Sequence, residues 1–477
     1  MKNKITVKII VIGIAWVGFS GCKVFDIPTK TENKNTPETY GNATIKDTTN
    51  TAQINWKTYF DDPNLAELIQ VALSNNQELN IVLQEIEISK NEVRSRKGEY
   101  LPFLDIGAGA GVDKVGEFTR DGAVEENLEV QHDTPFPEPF GDYMIGAYAS
   151  WELDVWKKLR HAKKSALTRY MASVEGKNFL VTNLVSEIAE SYYELMALDN
   201  LLGIVENNIS IQNNVFQILK QQKEAAKVSQ LAVNRFEAQV LNTKNRQYDL
   251  LQKILETENR INYLVGRFPQ PIARNSEDFK TIEVGFVASG LPSQLLETRP
   301  DIRQAELELM AAKLDVKVAK ANFYPSFRLR AGLGFQAFNP AFLIQPESIL
   351  YSLAGDLMAP LVNRNAIKSI YYTANAKQIQ AVYDYERTIL NAYLDVVNQL
   401  SKVENYNKSF DTKSQEVDLL VKSTSISNSL FNSARADYME VLLTQREALE
   451  SNVELIEIKL KQLDAKVNIY RALGGGW

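Results

Sequence analysis

"LETRPDIRQAELELMAAKLDVKVAKANFYPSF", Leu296 to Phe327, decides the fold because the chain carries a fainter version of it, "LSNNQELNIVLQEIEISKNEVRSRKGEYLPFL", from Leu73 to Leu104. The two align without a gap at an offset of 223 residues, pairing Leu73 with Leu296, Glu85 with Glu308, Lys90 with Lys313, Lys97 with Lys320 and Pro102 with Pro325. Past the prolines, Ala108, Gly109 and Gly111 pair with Ala331, Gly332 and Gly334 in segments that have lost the helical period. A unit of roughly two hundred residues is far longer than solenoid periods of about 20–50. The chain is therefore a duplicated half-molecule.

Each half shows the same order of signals. In the first, a helical pattern runs from about Asn64 to Tyr100 and stops ahead of Pro102, since the residue before a proline is pushed out of the α region. The period then changes to two in "FLDIGAGAGV" (103–112) and "YMIGAYASWELDV" (143–155), which flank a long acidic, proline-containing loop at 113–142. Such alternation marks strands. The second half repeats the plan with "FRLRAGLGFQAF" (327–338) and "SILYSLAGDLMAPLV" (348–362). After each hairpin comes a proline-free helical region, about Lys157 to Val265 and about Ala366 to Leu473. Each has a soft spot, "EAAKVSQLAV" (224–233) and "FNSARADYMEV" (431–441), where a helix pair can turn back. Heptads follow, through Val233, Phe236, Val240, Thr243, Gln247, Leu250 and Thr257 in one half and Val441, Thr444, Ala448, Ser451, Leu455 and Gln462 in the other. These seams are small and polar for a two-stranded coil, and suit a helix with neighbours on both sides.

Length assigns the membrane role. A helix of about 60 residues spans about 90 Å, against a hydrocarbon layer of about 30 Å, and Lys223, Glu224, Lys227 and Arg235 recur along it. The long helices are therefore not membrane spans. Strands of about ten residues do suit a tilted transmembrane β-strand. Four strands cannot close a barrel, and an open edge in lipid leaves backbone groups unpaired. Several chains must pool their strands.

The N-terminus "MKNKITVKIIVIGIAWVGFSGCKVF" joins Lys2, Lys4 and Lys8 to an apolar run from Ile9 to Phe19 and closes on Ser20, Gly21 and Cys22. This is a secretory signal layout over residues 1–21. Residues 22–60 read as a polar, Thr/Asn-rich tether followed by a connecting segment. A net charge of -6 without a basic run gives no nucleic-acid interface. Two histidines, His132 and His161, and one cysteine argue against a Zn site and against a histidine-based triad, and no metal is expected. The acidic pair Asp61-Asp62 precedes a proline and a helical run, which suits a turn and helix cap rather than catalysis.

Several motifs together resemble the TolC-like outer membrane factors, in particular the lipoprotein branch typified by OprM and NodT. They are "TRPDIRQAELELMAA" with "KANFYPSF", "ASWELDVWKKLRHA", "LMAPLVNRNAI", "ARADYMEVLLTQREAL" and the terminal "IYRALGGGW". The resemblance covers nearly the whole mature chain. It implies a homotrimer whose twelve-stranded outer-membrane β-barrel continues into a long α-helical barrel, with efflux repeats at 61–266 and 292–477 and an equatorial connector at 267–291. It implies a non-enzymatic exit duct for drugs or other small molecules, joined through a periplasmic adaptor (membrane fusion) protein to an inner-membrane pump of the RND type. No cofactor is implied beyond a covalent lipid on Cys22, whose surroundings resemble the family's lipobox, and outer membrane lipids are the further partner. A protein secretion duct of type I, or a periplasm-spanning structural lipoprotein tether, are the alternatives.

The resemblance also assigns residues. Asp437 matches the acidic position of the family's second helix turn and is expected to ring a periplasmic aperture with Arg435 beside it. Val228, Ser229, Ala434, Ala436 and Tyr438, at the two turns, are expected to meet the adaptor. Arg299, Pro300 and Asp301 open the second-half helix as an Arg/Asp clamp, proline and acid both suiting a first turn. Pro325, Trp151, Asp154 and Pro360 mark the junctions of strand and helix. The family's glycine after the first hairpin is absent from "LDVWKKLR", where Lys157 and Lys158 follow Trp156.

Overall fold

A computed structural model describes residues 27–40, 49–51, 54–285, 288–360, 362, 364–433 and 435–477. Cys22 with the signal segment, and Ala434, lie outside the described residues. The helices are α1 (Trp56–Phe60), α2 (Pro63–Asn75), α3 (Gln77–Tyr100), α4 (Arg120–Glu125), α5 (Lys158–Glu224), α6 (Gln230–Val265), α7 (Leu295–Thr298), α8 (Pro300–Ala321), α9 (Asn365–Asn432) and α10 (Tyr438–Ala472). The strands are β1 (Phe103–Asp113), β2 (Glu129–Gln131), β3 (Thr134–Pro135), β4 (Phe140–Leu153), β5 (Ser326–Ala337) and β6 (Ile349–Met358). The soft spots are the turns between α5 and α6 and between α9 and α10. The single helix expected over 64–100 is broken at Asn76, which ends α2 with its N–H on the Ala72 carbonyl. Its side-chain oxygen then accepts from the Leu79 N–H, and its amide reaches the Leu264 carbonyl. The loop at 113–142 holds α4 and a small β2–β3 hairpin rather than irregular chain alone.

The chain separates into two units. One contains Glu87–Met171 and Leu307–Tyr383 with the segment up to Thr31, and holds the strands. Its principal sheet has the order β1-β4-β5-β6, every neighbour antiparallel, with β1 and β6 at the edges.

The other unit contains Glu32–Ile86, Ala172–Glu306 and Asp384–Trp477. Its core gathers Leu65, Ile69, Ile188, Tyr192, Tyr193, Val467 and Tyr470, all fully buried. Asp62 caps α2 by accepting from Asn64 and Leu65 N–H, and its second oxygen takes the Tyr192 hydroxyl at 3.0 Å. The connector is pinned to α10 by Lys459, whose ammonium donates to the Ile282 carbonyl, and by Lys466, which donates to that of Glu283. Arg274 ties the connector's other end to Asp199 and Glu258.

The tether expected after Cys22 is not free over its described part. Asn375 and Gln378 donate to the carbonyls of Pro28 and Lys30 in the strand-bearing unit. In the helical unit, Glu386 accepts from the Asn33 N–H and Tyr393 donates to the Thr39 carbonyl. A polar sequence with few apolar residues reads as tether because side-chain amides that satisfy its backbone lie some 350 residues away.

Candidate functional site

The sheet has two unlike faces, and the register shows how the strands build them. One face carries Leu104 and Ile106 of β1, Ile145, Ala147 and Ala149 of β4, Leu329, Leu333 and Phe335 of β5, and Tyr351, Leu353 and Leu357 of β6. Ile106, Tyr351 and Leu353 are all more than four-fifths exposed. The opposite face carries Asp105, Gly107 and Gly109, then Tyr148 and Ser150, Arg328, Arg330 and Gly332, and Ser352 and Asp356. Arg330 pairs with Asp356 there at 3.3 Å. An exposed apolar face backed by a polar one, with period two on every strand, is the pattern of a transmembrane β-barrel wall. Among the described residues no helix is long and apolar enough to cross a membrane. Among the described residues, backbone groups along the outer edges of β1 and β6 face no further strand, an arrangement that lipid does not permit at an open edge.

The strand ends are fastened by indoles. Trp151 donates to the Tyr100 carbonyl at 3.1 Å, and Trp156 donates to the Pro325 carbonyl at 2.7 Å and stacks on Tyr324. Pro325, Pro360 and Trp156 line a recess of about 360 Å³. Asp154 starts α5 by accepting from Leu159 and Arg160 N–H and from the Arg160 guanidinium. Burial alone raises its carboxyl, but these hydrogen bonds outweigh it and hold it below the usual carboxylate range. Lys157, where the family resemblance places a glycine, has φ 61°. That is the left-handed region, so the substitution leaves a strained backbone in place of a free one.

The two helix turns share one design. Ser229 caps α6 by accepting from Ala232 N–H, and Asp437, 208 residues on, caps α10 by accepting from Met439 and Glu440 N–H. Asp437 and Arg435 are both exposed and form no ion pair with each other among the described residues; the Asp437 carboxylate is engaged by the helix end instead. Val228, Ala436 and Tyr438 are half-buried against a cluster of Phe216, Leu219, Val233, Phe236, Phe431 and Val441. The heptads announced Val233, Phe236, Val240 and Val441; Phe216, Leu219 and Phe431 lie ahead of those heptads, at the ends of α5 and α9.

Arg299 is a hub. Its guanidinium donates to both Asp301 oxygens and to the Ala472 carbonyl, and lies 3.6 Å from Asp395. Pro300 is the first residue of α8. The terminal glycines fit against this hub: a Cβ at Gly474, with φ +92°, would meet the Thr298 carbonyl oxygen at 2.6 Å.

One carboxylate went unmarked in the sequence. Asp464 of α10 lines a recess of about 410 Å³ with Glu190 and Glu194 of α5, Arg260 of α6, and Gln399 and Lys402 of α9. Burial, then Glu190 and Glu194, push its carboxyl up to about 7, with Lys402 opposing. The folded protein thus holds a proton that the unfolded chain releases near pH 4. This group's contribution is fully present below that pH and is lost as pH rises toward about 7. Asp464→Asn is expected to flatten the pH dependence of thermal stability between pH 5 and 8, with a gain at pH 8 on the order of 2 kcal/mol. A melting profile as steep in the variant as in the wild type would remove Asp464 as its source.

Residues 68–267 and 291–475 match the family described as outer membrane efflux protein, one block per repeat. The solvent efflux pump outer membrane protein SrpC of Pseudomonas putida is 28% identical over 443 residues, 93% of this chain and 92% of its own. The pyoverdine export outer membrane protein OpmQ of Pseudomonas aeruginosa is 27% identical over 426 residues, covering 88% and 87%. Among solved structures, the open state of the MtrE outer membrane channel of Neisseria gonorrhoeae superposes with a TM-score of 0.82 at 20% identity, over 95% of this chain and 98% of that one.

Proposed function

Since this chain belongs to the outer membrane efflux protein family, we propose that it works as a homotrimer, the passive outer-membrane exit duct of a tripartite pump. The duct carries drugs or other small molecules delivered by an inner-membrane pump of the RND type through a periplasmic adaptor. The observation that carries this is the two-faced sheet with open edges at β1 and β6. Three copies would supply twelve strands and leave no edge. Exposed apolar residues on the helices support a neighbouring copy: Leu241, Tyr248 and Leu255 recur at heptad spacing on α6, as do Tyr383 and Leu390 and then Leu419 and Ile426 on α9. Cys22 would carry the acyl anchor, as an accessory to the embedded wall.

The test is the native mass of detergent-extracted protein, wild type and Cys22→Ala. A trimer that needs detergent in both is expected. A monomer that becomes water-soluble once Cys22 is lost would overturn the duct and leave a lipid-anchored tether.

At the turns, threefold symmetry would bring three Asp437 carboxylates toward one axis, where like charges repel and cations are favoured. Each carboxylate also caps α10, so Asp437→Ala removes charge and cap together and is expected to cost about 1 kcal/mol of local stability. Asp437→Ser keeps a cap and removes only charge. Cation-over-anion selectivity in planar bilayers should fall in both variants, while amide exchange at Met439 and Glu440 should quicken only in the alanine variant. Unchanged selectivity in both would dismiss the aperture ring.

A further inference from the structure

Tyr148 sits on the polar face of the sheet in a setting made for its ring. A Cβ built on Gly107 of β1 would lie 3.7 Å from Tyr148 Cε2, and one on Gly332 of β5 would lie 3.3 Å from Cδ1. These glycines therefore meet opposite edges of the ring, and Gly146 lies below it, 3.3 Å from Oη by the same construction. A ring bounded edge to edge by two neighbouring strands lies along the sheet, with one π face against the backbone and the other turned away from it. Its hydroxyl is already engaged with the Met144 sulfur at 3.0 Å. What Tyr148 offers is its face rather than its hydrogen bond.

The register sets Asp105 of β1 directly opposite Tyr148. Asp105 is exposed and has no ion pair among the described residues. Of the other carboxylates on that face, Asp356 is held by Arg330, Glu152 by Lys158, and Asp142 accepts from the Gln336 amide, while Asp113 lies at the far end of β1, away from the ring. A π face beside an unneutralised carboxylate is a recognition pair for a soft cation, since the ring quadrupole and the anion attract the same charge and the ring excludes water from one side. Inorganic cations keep their hydration shells and gain little from the ring. An ammonium group with apolar substituents gains from both.

We propose that Tyr148 and Asp105 form a subsite for organic cations, in particular alkylated or arylated ammonium ions, on the lumenal face of the barrel wall. This rests on the duct proposed above, because closure of the wall is what makes the face lumenal. Three copies would place three such subsites around the exit, where weak and repeated contact holds a cation in the pore without trapping it.

The experiment is saturation-transfer NMR on the full-length, detergent-extracted protein with benzyltrimethylammonium as probe, and benzyl alcohol and benzenesulfonate as neutral and anionic controls. The wild type should saturate the N-methyl protons of the ammonium ion more strongly than either control is saturated. Tyr148→Ala and Asp105→Asn should each lower that signal by about threefold or more, while Tyr148→Phe, which keeps the π face, should retain it. Equal saturation of ammonium and alcohol, or full signal in Asp105→Asn, would overturn the subsite. Micelle binding is common to all variants and cancels. Asp105→Asn is isosteric and Tyr148→Phe removes only the hydroxyl that bonds Met144, so the outcome stands even if Tyr148→Ala fails to fold. Failure of the duct itself shows separately, as loss of the trimer in the same samples.

Discussion

Arg299→Ala should be the most damaging single substitution in the helical unit, with an expected loss of about 3–5 kcal/mol. Arg299 is only 6% exposed, and its planar fork satisfies Asp301 bidentately while a further N–H donates to the Ala472 carbonyl. Removing it leaves a mostly buried carboxylate without its counter-charge and a helix-end carbonyl without a donor. Both penalties fall on one place, where α8 begins and α10 ends. Arg299→Lys should recover the charge but not the fork, and so only part of the loss. Denaturant unfolding of the detergent-solubilised protein, followed by tryptophan fluorescence near the C-terminal Trp477, measures both. A loss under about 1 kcal/mol for Arg299→Ala would mean that water reaches Asp301 freely and that the clamp carries little.

Leu333→Arg tests the wall. Leu333 lies mid-strand on the apolar face, between Ala147 of β4 and Tyr351 of β6, and is 63% exposed. A guanidinium at the bilayer midplane costs about 2–4 kcal/mol per copy, and a trimer incurs it three times. The expected result is loss of assembled protein from the outer-membrane fraction. Ser352→Arg, on the opposite face, is the control: a charge facing an aqueous lumen should leave the amount of assembled protein near wild type. Equal tolerance of both substitutions would show that neither face meets lipid, and would remove the barrel wall from the proposed function. The pair separates membrane placement from general instability, because both residues are exposed strand positions, one step apart in the β5–β6 register and on opposite faces.

The halves, strands and turns were legible because each rests on local periodicity. Pro102 and Pro325 end helices by a clash with the preceding residue, and "GAGAGV" and "RAGLGF" could alternate only as strands. The caps at Ser229 and Asp437 are likewise local chemistry, readable from a small polar residue ahead of a heptad. Asn76 was harder: its role depends on the Leu264 carbonyl, 188 residues away. The glycines of the strands were legible as small residues but not by purpose, since at Gly332 a Cβ would crowd Ser352 Oγ and the Tyr148 ring, both of which arrive on different strands.

The amino-acid sequence by itself determined the duplication, the transmembrane strands, the paired long helices and the family, all of which follow from spacing along one chain. Only the tertiary structure decided which charges are held and which are open. It tied Arg299 to Asp301 and Ala472, gathered Asp464 with Glu190 and Glu194, and laid Tyr148 beside Asp105. The physical reason is that periodicity is fixed by bonds between neighbours, whereas a charge's surroundings are fixed by whichever distant segment packs against it.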